Sequence, residues 1–123
     1  MDILRILLLV AVGGVSGAIG ALCGVGGGIV LVPVMALALG LPQKQAVATS
    51  LAVIIITSAV ATYKNSGSGL VQWQMALPIA IGSIIVTWFA SDALKSMSND
   101  VLVKIFAVVM ILAGVSMLVL RKA

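Results

Sequence analysis

Three observations predict an all-α polytopic membrane protein with four to five transmembrane helices. Hydrophobic residues make up 63% of the chain and charged ones 8%, against roughly 45–50% and about 25% in soluble domains. The few charges leave long runs untouched: none stands between Ile6 and Leu22 or between Ile29 and Leu41. Between those runs lies Gly24-Val25-Gly26-Gly27-Gly28, a glycine cluster that interrupts apolar sequence without adding a charge. Bare backbone at membrane depth costs several kcal/mol per unsatisfied group unless protein or a water-filled cavity covers it. The cluster therefore predicts a broken helix or re-entrant segment.

Five apolar segments follow in order. Ile3 to Leu22 is long enough for a span, which takes about 20 residues. Arg5 ahead of an apolar run raises a signal peptide. The glycine content and the poor cleavage context before Cys23 favour a retained first helix. Ile29 to Leu41 is short, so it either crosses with help from its flanks or turns back as a half-helix. Pro33 sits about one turn into it, where a missing N–H does least harm. Pro42-Gln43-Lys44-Gln45 reads as a tight turn before Ala46 to Tyr63, a third segment of spanning length. Lys64 to Gly69 reads as a flexible polar loop closed by Trp73, an interfacial anchor. Met75 to Ser91 and Val101 to Leu120 complete the set, with Ser98-Asn99-Asp100 offering N-caps to the last helix. No internal repeat is visible, and residues 1–123 read as one transmembrane domain.

The glycines carry the chemistry. Gly13/Gly17 and Gly20/Gly24 have the four-residue spacing of close helix packing, and packing alone accounts for Gly13, Gly14 and Gly17. Consecutive glycines at 26–28 would weaken a helix by about 1 kcal/mol each relative to alanine, so a break is expected there. The N–H groups of Gly27, Gly28 and Ile29 would open the next helix without intrahelical acceptors. Their partial positive charge suits an anionic head held by backbone alone, and no Arg, Lys or His lies in the middle of any span. Thr49-Ser50 follows a short loop and is expected near the break. Thr57 and Ser58 are expected to bond carbonyls of their own helix.

Absences narrow the function. The seven basic residues and net charge of +4 are scattered, not a nucleic-acid patch. There is no histidine and one cysteine, Cys23, so neither a metal site nor a cofactor is expected, and no nucleophile–base pair suggests an enzyme. The acids Asp2, Asp92 and Asp100 all lie outside the apolar segments. That disfavours a cation-coupled drug exporter, which needs a buried carboxylate.

The run Gly24-Val25-Gly26-Gly27-Gly28-Ile29-Val30-Leu31-Val32-Pro33, then Leu41-Pro42, then Ala46-Val47-Ala48-Thr49-Ser50-Leu51, resembles the repeat signature of the sulfite exporter TauE/SafE family. Trp73 and Gly82 follow in family-like order. The resemblance implies transport of small anions, sulfur-containing ones such as sulfite or sulfonates being the theme. It also implies a protein about twice this length with two related halves. The expectation is therefore a half-transporter in the prokaryotic plasma membrane, pairing with a second copy as a homodimer, antiparallel by preference. Pairing with a different half-length protein is the alternative. The expected substrate contacts are Gly24, Val25, Gly26, Gly27, Gly28, Ile29, Pro33, Thr49 and Ser50.

Overall fold

A computed structural model describes residues 2–121. Helix α1 spans Ile3–Cys23, α2 spans Gly28–Pro33 and continues through a π-helical turn at Val34–Ala38, α3 spans Gln43–Gly67, α4 spans Trp73–Ser96 and α5 spans Asn99–Val119. Four of these are long and apolar enough to cross a membrane, while Gly28–Ala38 is not. At 1.5 Å per residue the four measure about 31–38 Å, matching a hydrocarbon core of about 30 Å. The protein is an all-α, multi-pass membrane protein.

The boundaries differ from the apolar segments for identifiable reasons. Gln43 to Gln45, expected as a turn, form the first turn of α3, because Pro42 sits ahead of the helix and its carbonyl accepts the Ala46 N–H at 3.0 Å. The actual turn is at Leu39–Pro42, where Gly40 takes a φ of 69°. Lys64 to Gly67, expected as loop, are the last turn of α3. Helical hydrogen bonding continues past the point where apolar sequence stops, with Gln43 buried at one end of α3 and Lys64 and Asn65 exposed at the other. Ser98 caps α5, its Oγ accepting the Val101 N–H at 3.3 Å. Pro33 sits little more than one turn into the segment, as expected, and is also the last α-helical residue before the π turn. It supplies no N–H, and the helix widens to a π turn immediately after it, with the Leu39 N–H donating to Val34 O at 3.2 Å.

The second segment resolves as a half-helix. After α1 the chain reverses at Gly24–Gly27, and α2 runs back along α1: Gly27 lies against Ser16, and Val12 packs on the cluster of Leu31, Val32, Met35 and Ala46. Helix α3 then reverses again and passes α2 in the opposite sense, with Ala46 in that cluster and Ile54 against Gly26 and Gly28. The glycine break is thus level with the middle of α3. Lys44 ties the start of α3 to the α4–α5 turn, its N–H donating to Asn99 Oδ1 (3.1 Å) and its Nζ to Lys95 O (2.9 Å). At the other end the Trp73 indole N–H donates to Ser66 Oγ at 3.3 Å. Neither α4 nor α5 has a buried residue.

Candidate functional site

The reversal is built from glycines that no other residue could replace cheaply. Gly24 ends α1 in a left-handed conformation (φ 74°), its N–H donating to Gly20 O at 2.8 Å. Gly26 and Gly27 follow at φ 68° and 88°, a region that costs roughly 1–2 kcal/mol for residues with a Cβ. Space is limiting as well. A Cβ on Gly27 would lie 2.8 Å from Ser16 O, and one on Gly20 would lie 2.7 Å from the Gly26 carbonyl carbon. Gly20 and Ser16 are accordingly buried, the Ser16 hydroxyl being satisfied by Gly13 O at 3.1 Å. The close packing expected of several α1 glycines falls on Gly20: a Cβ on Gly13, Gly14 or Gly17 would meet nothing within 4 Å.

At the head of α2, Val30 and Leu31 donate to the Gly27 carbonyl at 3.1 and 2.9 Å. Gly28 and Ile29 open the helix, as expected, whereas Gly27, expected with them, is its N-cap in a left-handed conformation. Val25 and Ile29 both have exposed side chains. Beside this turn is a cavity of about 300 Å³ between the last third of α1, the second half of α3 and the start of α4; of the glycine run only Gly24 and Gly26 line it, and Val25, Gly27, Gly28, Ile29 and Pro33 do not. Gly17, Gly20, Ala21 and Gly24 form its α1 wall, Gly26 its floor, and Thr57, Ser58, Ala61, Thr62 and Asn65 its α3 wall. None of the described residues lining it is charged.

Thr57 locks the break to α3. Its hydroxyl lies 3.2 Å from Val53 O, 3.3 Å from Ile54 O and 3.4 Å from Gly26 O, so its one proton is shared between its own helix and the glycine turn. Thr49 and Ser50 lie elsewhere. Ser50 is buried against the α2 side of α3 and donates to Val47 O at 2.8 Å, while Thr49 is exposed. Neither lines the cavity. Ser58, Thr62 and Asn65 do, and sequence reading passed over the last two; their 58/62/65 spacing on one helical face was the available signal.

These features define a class: a multi-pass membrane protein whose glycine-built helix break stands mid-bundle beside an uncharged, hydroxyl-lined cavity. The family follows from comparison with known proteins. The model of the sulfite exporter TauE/SafE family matches residues 3–123, and the chain belongs to that family. It is 34% identical over 105 residues to the probable membrane transporter protein YunE of Bacillus subtilis, covering 85% of this chain and 38% of that protein. A probable membrane transporter protein of Methanocaldococcus jannaschii is 28% identical over 121 residues (94% and 45%). One of Haemophilus influenzae is 27% identical over 119 residues (91% and 45%). The chain thus spans less than half the length of these relatives. No solved structure matches it.

Proposed function

We propose that this chain is one half of a membrane transporter for a small, sulfur-containing anion such as sulfite or a sulfonate. Two copies assemble, and the glycine break binds the substrate. The observation that carries the reading is the position of the break: backbone N–H groups at the head of a half-helix, level with the middle of a spanning helix, beside a cavity without charge. Only backbone and neutral side chains are available there to attract an anion. Gly24, Val25, Gly26, Gly27, Gly28 and Ile29 build the binding turn, and Pro33 ends the short helix that leads away from it. Thr49 and Ser50 stand nearer the start of α3 and outside the cavity, so they are not part of the proposed site.

The passes of the chain support an antiparallel pair. Counting the half-helix, the chain reverses an even number of times between its two ends. Arg5, Lys44, Lys95 and Lys104 therefore fall at one end of the bundle and Lys64 and Arg121 at the other; Lys122 lies outside the described residues. With Lys122 counted beside Arg121 by its place in the sequence, four against three gives little positive-inside bias and lets copies insert both ways. An inverted pair reproduces the two-fold plan of many transporters.

Binding of sulfite, taurine, sulfoacetate and simple carboxylates to the purified protein tests the reading. Gly28→Val should remove binding while the protein stays folded, because Gly28 has helical φ and faces only the flexible tip of Ile54 at 3.1 Å. Ser50→Ala and Thr49→Ala, both outside the cavity, should leave affinity unchanged. Unchanged affinity in Gly28→Val would remove the site from this region.

A further inference from the structure

We infer that Ser58, Thr62 and Asn65 form a charge-free hydrogen-bonding passage leading to the glycine break, which admits monoanions and rejects dianions. The inference rests on the anion reading above and deepens it by setting the charge of the permeant species. Three observations carry it. First, the residues lie four and three apart, so they share one face of α3, and all three line the cavity. Second, their side chains have no hydrogen-bond partner among the described residues, whereas Thr57, Ser66 and Trp73 nearby are all engaged. The two hydroxyls and the amide thus keep four donor protons for a ligand. Third, the facing wall of α1 is glycine and alanine, which offers these donors no competing side-chain acceptor.

Neutral donors set a limit on charge. The cost of taking an ion out of water grows with the square of its charge, so a dianion costs about four times as much as a monoanion of the same size. Hydrogen bonds from hydroxyls and an amide grow far less steeply. Lys64, next to Asn65, is exposed and not part of the lining, so no cation among the described lining residues offsets a second negative charge. A sulfonate or hydrogen sulfite matches this wall; sulfate or fully deprotonated sulfite does not.

The test is flux in proteoliposomes at pH 6 and pH 8, against protein-free vesicles. The anions are methanesulfonate, a monoanion at both pH values, sulfate, a dianion at both, and sulfite, which loses its second proton between them. The expected result is pH-independent methanesulfonate flux, sulfate flux no faster than in protein-free vesicles, and sulfite flux that falls as the monoanion disappears. Thr62→Val and Asn65→Leu should each lower methanesulfonate flux roughly tenfold, as loss of a hydrogen bond to a charged group does. Ser58→Thr, which keeps the hydroxyl, should retain it. Sulfate carried as fast as methanesulfonate, or full flux in both deletion variants, overturns the passage and leaves the anion reading standing. A wild-type protein that moves none of the three anions overturns the anion reading and the passage with it.

Discussion

Gly20 and Gly13 both lie in the uncharged stretch of α1 that follows Arg5, and nothing in their sequence neighbourhoods separates them. In the fold, a methyl on Gly20 would collide with the backbone of Gly26 and Gly27, while one on Gly13 would meet open space. Gly20→Ala should therefore destabilise the protein by about 1–3 kcal/mol, the usual cost of overpacking. Gly13→Ala should be neutral or slightly stabilising through helix propensity. Thermal unfolding of the two variants in the same detergent separates them; equal midpoints would mean that α1 and the glycine turn do not touch. The same geometry changes what Gly27 tests. From sequence, Gly27→Val is expected to block ligand approach in a folded protein. With φ at 88° and Ser16 O 2.8 Å from any Cβ, that substitution would also push α2 off α1, so loss of binding would not isolate the ligand's contact. Gly28 is the position that does.

Among the elements, the half-helix depends most on its neighbours. Six α-helical residues and a π turn are far too short to be stable alone, and they hold because Leu31, Val32 and Met35 are buried against α1 and α3. Met35→Ala should cost about 2–5 kcal/mol, as truncation of a buried side chain does. Ile84→Ala on the exposed surface of α4 should stay within about 0.5 kcal/mol. Paired unfolding curves check the contrast, and equal losses would contradict the core drawn around α2. Pro33 was legible as a proline near a helix start, yet not as the residue preceding a π turn. That outcome depends on how α2 must bend to keep Met35 inward, which no local pattern encodes. The ends of α3 were misread for a simpler reason. Apolar runs mark the part of a helix inside the membrane, and Gln43 to Gln45 and Lys64 to Gly67 extend the same helix beyond it.

For the molecule as a whole, the basic residues decide the clearest prediction. Reporter domains fused at the C-terminus should give signals from both sides of the membrane, since neither end of the bundle holds a strong excess of Lys and Arg. A single-sided signal would exclude dual insertion and require a parallel pair or a different partner. Sequence by itself determined the class of this protein: too apolar and too poor in charge for water, broken at Gly24–Gly28, and bearing the motif of its family. Those are properties of composition and order, and burial in lipid depends on little else. It also pointed to a break there, because consecutive glycines at 26–28 would weaken a helix by about 1 kcal/mol each. The tertiary structure alone decided where that break sits, against Ser16 and Gly20 and level with the middle of α3. It also decided which hydroxyls stand beside it. Ser50 and Thr57 are seven residues apart on one helical face, and only Thr57 reaches the glycine turn. Periodicity assigns a residue to a face, but its height along the bundle comes from how far α2 runs back before α3 begins.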